Sequence, residues 1–359
     1  MKLIRAAFVA LAAATALGGA SPVAAAGFQD PLAVPAQPSA LASRSLLQGV
    51  VRAGSRLVAV GQRGHIVHSV DGGGSWQQAA VPVSSDLTAV FFVDELKGWA
   101  VGHDGVVLHT ADGGLNWTLQ LDGRRANDRL VASMQERAEE QPQSAELKRL
   151  LGEARRFQEQ GADKPFMDVW FADENNGYVV GAYNLIFRTS DGGKTWEPWF
   201  DRTDNPKLLN LYAIGQAGGG LYVVGESGLV LRLDAASQRF QARPTPYKGS
   251  FFGLVGTAGT VLAFGLRGNA WRSDDGGQRW DKVDTGLPAT IVAGKPLSGG
   301  ALVLADAGGR VVVSDAAGRD FKPVALKPAM PLAGVADTGN GRLALVGPRG
   351  VAVTALPAR

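Results

Sequence analysis

The stretch "SVDGGGSW" at residues 69–76 returns as "TADGGLNW" at 110–117, "TSDGGKTW" at 189–196 and "SDDGGQRW" at 273–280. Each copy sets a hydroxyl residue two positions before an Asp, a Gly pair directly after it and a Trp five after it. An Asp in this place accepts hydrogen bonds from its own turn, the glycines allow the positive φ of a tight reversal, and the Trp anchors the turn in apolar packing. The unit reads as a turn that staples two strands, and the chain is built by repeating it. The structural residues are therefore Asp71, Trp76, Asp112, Trp117, Asp191, Trp196, Asp275 and Trp280.

A second landmark lies upstream of each staple. An apolar residue followed by Gly-x-x-Gly occurs at residues 61–64, 102–105, 225–228, 265–268 and 347–350, and at 181–184 with Asn184 in the last slot. From the first Gly to the Asp is ten residues in four copies: 61 to 71, 102 to 112, 181 to 191 and 265 to 275. Ahead of these lie alternating segments such as "LTAVFFVD" and "MDVWFAD", joined through "DELKGW" and "DENNGY" to "WAVG" and "YVVG". The spacing predicts four antiparallel strands per unit.

Two degenerate copies keep the phase, with Asp234 and Phe240 in "RLDAASQRF" and Asp315 and Phe321 in "VSDAAGRDF". The Asp positions 71, 112, 191, 234, 275 and 315 are separated by 41, 79, 43, 41 and 40 residues. Units of roughly 40 residues with four strands are propeller blades rather than solenoid turns. A seventh copy, "PLAGVADTGNGRLALVGPRGVAVTALPAR", supplies three strands, and its Asp would fall at Pro357. The expectation is an all-β, seven-bladed β-propeller over residues 27–359, closed by an N-terminal strand drawn from "FQDPLAVPAQPSALASR".

The one anomalous step contains residues 123–163, which have a different composition. Leu130, Val131 and Met134, then Leu147, Leu150, Leu151 and Ala154, recur at helical spacing around Pro142. This predicts a helical hairpin inserted between blades 2 and 3, overhanging the face where blade-to-blade connections lie.

Residues 1–26 carry Lys2 and Arg5, an apolar run and Ala24-Ala25-Ala26, which reads as a secretory signal peptide. The apolar run is short for a spanning helix, so no direct membrane insertion is expected after cleavage. Cleavage takes the formal charge from +3 to +1, which does not suggest nucleic-acid binding. The chain has no Cys, hence no disulfide and no thiolate metal site. Metal-protease, EF-hand, P-loop and G-x-S-x-G patterns are also missing from the sequence, and neither cofactor nor metal is expected.

A glycosidase or glycan-binding function is the alternative reading, because propellers with such turns include sialidases, which use a Tyr nucleophile and paired acids. Tyr178 and Tyr222 occupy the same strand slot as Trp99 and so read as core, while Asp94-Glu95 and Asp173-Glu174 recur in equivalent turns. Candidate binding residues are Arg124, Arg125, Arg129, Arg155 and Arg156 on the insert, and His68, His109, Arg188 and Arg272 three positions before their Asp. The competing account of that last slot is packing on the stapling Trp.

The turns resemble the Asp-box, or bacterial neuraminidase, repeat. A "V-x-F-x-D-x-x-x-G-[WY]-x-V-G" strand pair combined with "[RH]-T-x-D-G-G-x-x-W" further resembles the propeller family of photosystem II assembly and stability factors and their bacterial relatives. The resemblance implies a seven-bladed, non-enzymatic scaffold or assembly factor that acts on a membrane protein complex or envelope protein from the lumenal or periplasmic side, and with the signal peptide the expectation is a monomer exported to the periplasm or outer surface. In that family's motif the Arg matches Arg188 and Arg272, while His68, His109 and Leu231 depart from it.

Overall fold

The computed structural model describes residues 29–356 except 298, 316 and 327–329. The signal-peptide reading falls outside them. Seven antiparallel sheets, six of four strands and one of three, stand around a common axis as a seven-bladed β-propeller. The innermost strands are Leu47–Ala53, Leu87–Phe92, Phe166–Phe171, Leu211–Ala217, Phe251–Thr257, Ile291–Pro296 and Gly334–Asp337, each packed beside the next around the ring. Blade 2 shows the plan: Leu87–Phe92, Gly98–Gly102, Val107–Thr110 and Thr118–Leu121 pair in sequence order.

Second strands such as Gly98–Gly102 and Gly177–Gly181 are buried at every residue, because a blade is covered on both faces by its neighbours. That is why they read as continuous apolar runs rather than as alternating ones. Between blades 2 and 3, Trp99 stacks on Phe171 with centroids 3.5 Å apart, and Phe171 meets Trp196 edge-on at 6.1 Å.

The Asp-Gly-Gly turns form as their residues dictate. In blade 2 the Thr110 hydroxyl donates to Asp112 at 2.8 Å and accepts from the Gly114 N–H at 3.0 Å, while Asp112 accepts from the Leu115 and Asn116 N–H groups, each at 3.0 Å. Gly113 and Gly114 take φ of 74° and 90°, which a side chain would strain. The tryptophans do more than staple their own hairpin. Trp117 packs with Val58 and Val60 of blade 1, Trp196 with Trp99 of blade 2, and Trp280 with Tyr222 and Val224 of blade 4. Each is a wedge driven into the interface with the preceding blade.

The seam differs from the expected N-terminal strand. Among the described residues, no strand pairs with the outer edge of blade 7, whose last strand Gly350–Ala355 pairs only with Arg342–Gly347, and residues 29–44 form no strand. They run instead along blade 1, where the Ala36 N–H donates to the Val81 carbonyl at 3.1 Å and the Ser84 N–H to Pro31 at 2.9 Å. The three prolines Pro31, Pro35 and Pro38 lack the N–H groups a ladder needs. Closure comes from side chains: half-buried Trp76 joins Ala344 and Val346 of blade 7, as do Ala42 and Leu47.

Candidate functional site

The insertion forms the expected helical hairpin, α1 (Gly123–Glu140) and α2 (Ala145–Gln160). Asp122 caps α1 by accepting from the Arg124 and Arg125 N–H groups, and Ser144 caps α2 by accepting from Leu147. The apolar stripe is not free. Leu130, Met134, Leu150, Ala154 and Phe157 are buried with Leu185, Phe166 and Phe200 of blade 3. Gly105, at φ 64° in the turn of blade 2, lies so close to Gly123 that a Cβ on it would fall 2.6 Å from the Gly123 Cα. Arg137 clamps α1 to the rim of blade 3, 2.6 Å from Asp201 and 3.7 Å from Glu197. The hairpin is thus folded down onto blades 2 and 3, and what it offers to solvent is its polar face.

On that face Arg124 pairs with Asp30 at 2.6 Å, Arg125 with Asp122 at 2.9 Å and Arg156 with Glu153. The Arg155 guanidinium donates to Gln135 at 2.7 Å. Arg129 is exposed and forms no ion pair among the described residues. The five arginines share the hairpin, three on α1 and two on α2, and among the described residues Arg129 and Arg155 form no ion pair.

The slot three before each Asp is a different place. Register pairs it with the second strand, giving Val58 with His68, Trp99 with His109, Tyr178 with Arg188 and Leu262 with Arg272. In blade 4 the register pairs Tyr222 with Arg232, so the equivalent residue is Arg232 and not Leu231. The degenerate turn there is out of step with the others by one residue. In blades 2 and 4 these side chains pack on second-strand rings rather than on the stapling Trp. His109 lies 5.1 Å from Trp99, and the Arg232 guanidinium 5.7 Å from the Tyr222 ring. Arg188 and Arg202 stack on Trp199 at 5.3 and 4.9 Å.

Arg272 is buried, 2.8 Å from Asp274 and donating to the Ala317 carbonyl of blade 6. Burial also lowers the pKa of His68, helped by Arg56, and that of His109, helped by Lys97, so both stay neutral near pH 7. The slot therefore holds blades together, and among the four it is half-buried Arg188 and His109 that reach solvent.

Tyr178 and Tyr222 are buried between blades. Asp94 accepts from the Leu96 and Lys97 N–H groups, and Asp173 from those of Asn175 and Asn176, which makes both turn residues. The sialidase-like arrangement is not assembled by these side chains. Among the described residues, no three His, Asp or Glu groups converge as metal ligands, and no helix is long and apolar enough to cross a membrane.

The ring encloses an axial cavity of about 400 Å³ lined by all seven inner strands. Its wall includes Phe91, Trp170, Tyr212 and Phe252, and its charged residues are Asp168 and Lys295. Neither stood out in the sequence, although "FMDVWF" places an Asp where "LTAVFF" has Ala.

Fold and surface define a seven-bladed propeller of Asp-Gly-Gly turns that carries a helical hairpin on one flank. The family profile described as photosynthesis system II assembly factor YCF48 matches residues 52–143 and 153–244, just over half of the sequence, and the chain belongs to that family. Curated relatives are similar over shorter stretches. The photosystem II assembly lipoprotein Ycf48 of Synechococcus sp. (strain CC9902) is 26% identical over 135 residues, which are 35% of this chain and 38% of that protein. Its counterpart in Prochlorococcus marinus (strain MIT 9312) is 55% identical over 31 residues, 9% of each chain. The matches thus span well under half the length of these relatives.

Among solved structures, YCF48 bound to D1 peptide superposes with a TM-score of 0.62 at 14% identity, covering 88% of this chain and 95% of that one. YCF48 from Cyanidioschyzon merolae gives 0.60 at 17% identity, covering 89% and 98%. The WD40 propeller of Doa1 gives 0.61 at 10% identity, covering 90% and 95%, so structural likeness at this level speaks for the fold alone.

Proposed function

We propose that the protein is a non-enzymatic assembly factor, exported and monomeric, that binds an extramembrane segment of a membrane protein complex or envelope protein. Membership of the YCF48 family carries this reading. The relatives named photosystem II assembly lipoproteins and the YCF48 solved with a D1 peptide support a membrane-protein partner and an exported location. The exposed face of the hairpin, with Arg124, Arg125, Arg129, Arg155 and Arg156, is the proposed contact surface, because the repeat does not require it and its charge serves no core contact. Arg188 and His109 form the second candidate surface.

The test is recovery of a partner from solubilised membranes of the source by the tagged full chain, compared with Arg125→Glu/Arg129→Glu/Arg155→Glu. The triple variant is expected to keep its circular dichroism and melting temperature yet lose the partner. Undiminished recovery would reject the hairpin and return attention to Arg188.

A further inference from the structure

Register aligns the seven inner strands. The residues paired with the Gly-slot residue of the second strand, Leu47, Leu87, Phe166, Leu211, Phe251 and Ile291, are each followed by a bulge. Two positions on come Gly49, Ala89, Asp168, Ala213, Gly253 and Ala293, with Gly334 in the matching place of blade 7. Six blades put Gly or Ala there and one puts a carboxylate. The small residues have a packing reason, since a Cβ on Gly49 would come within 3.4 Å of the Ala89 Cα of the next blade.

Asp168 reaches the next blade as well. Its two oxygens accept from the Val169 and Ile214 N–H groups, both at 2.9 Å. A cross-blade tie does not need a charge: in blade 2 the neutral Thr88 hydroxyl donates to the Phe166 carbonyl of blade 3 at 2.8 Å. A carboxylate costs more, because an anion set into the enclosed wall of the ring loses hydration that two amide donors replace only in part. No basic group closes to ion-pair distance on it among the described residues. The flanking Trp170 and neighbouring Phe91 bring aromatic rings to the same cavity wall, the kind of surface that favours an organic cation.

We propose that the axial cavity is a binding site for an organic ammonium group, carried either by a free alkylamine or by a lysine side chain, with Asp168 as counter-ion and Trp170 and Phe91 as walls. Asp168 is half-buried in the wall of the axial cavity, enclosed by the ring. Burial raises its pKa to about 6, against the opposing pull of the Ile214 N–H, Lys295 and the Val169 N–H. The other titratable groups lining the cavity are Lys295 and Tyr212, and burial pushes the Tyr212 phenol up. Ligand affinity therefore falls as Asp168 is protonated.

The experiment titrates the full chain with n-butylammonium and, separately, with the peptide acetyl-Gly-Lys-Gly-amide, by calorimetry and by the Trp170 indole N–H resonance, assigned through Trp170→Phe. One or both probes are expected to shift that resonance at about pH 8, and affinity should drop about tenfold per unit below the carboxyl's pKa. Asp168→Asn should abolish both effects. Lys295→Met, which removes the cavity's own cation, should tighten binding severalfold and serves if Asp168→Asn does not fold. Binding of the amine alone identifies a small-molecule guest, and binding of the peptide alone a side-chain guest. No shift at millimolar probe, or affinity independent of pH and unchanged in both variants, overturns the proposal.

Discussion

Single residues set the strength of each blade-to-blade joint, and the tryptophans rank themselves by burial. Trp196, 2% exposed, and Trp117, 4% exposed, fill interfaces with the preceding blade, whereas Trp76 is half-buried. Replacing Trp196 or Trp117 by Ala is expected to cost about 3–5 kcal/mol in denaturant unfolding, and Trp76→Ala measurably less. Equal losses at all three positions would contradict the wedge geometry.

The turn aspartates give the fold an acid limit. Burial pushes the Asp112 carboxyl up, but hydrogen bonds from Asn116, Thr110 and Leu115 outweigh it and hold the pKa at about 2, below the usual 3.8. A folded-state value below the unfolded one means that this stabilisation is present above about pH 4 and is lost as pH falls toward 2. Asp112→Asn should therefore destabilise the protein near neutrality, by less than about 2 kcal/mol after solvent screening, and should flatten the acid limb between about pH 4 and 2. Stability curves at several pH values check this.

At the scale of elements, the hairpin is both an appendage and part of the core. Its sequence has the apolar stripe of a docking helix pair, and the fold spends that stripe on blade 3 through Leu130, Met134, Leu150 and Phe157. Replacing residues 124–160 by a Gly-Ser linker would uncover Leu185 and Phe200, so a lower melting temperature and dye binding to the exposed apolar surface are expected. An unchanged melting curve would show that the hairpin rests on the propeller without stabilising it. The milder Arg137→Ala, which takes the hairpin's ion pair from Asp201 and leaves Glu197 with Arg202, should cost about 1–2 kcal/mol and leave the helices formed by circular dichroism.

The whole molecule is a ring whose closure rests on side chains. Blade 7 pairs three strands, and the chain before blade 1 contributes Ala42 to the seam cluster and the Ala36-to-Val81 and Ser84-to-Pro31 hydrogen bonds. A chain beginning at Ser45 should melt below one beginning at Gly27 and aggregate sooner, because the outer edge of blade 7 and the flank of blade 1 are laid bare together. Equal melting temperatures would show that the ring closes without this segment.

Period and turn chemistry are local properties, so the sequence alone determined the blade unit, the count of seven, the helical insert and the burial of Tyr178 and Tyr222. Each follows from residues a few positions apart. Tertiary structure decided what depends on neighbours in space. It turned the tryptophans into inter-blade wedges, buried Arg272 and His68 in joints, laid the hairpin's stripe on blade 3 and replaced the expected closing strand with side-chain packing. It also brought Asp168 and Lys295 into one cavity from positions 127 residues apart, being residues 168 and 295. Strand register around a closed ring sets such meetings, and no stretch of sequence carries that register by itself.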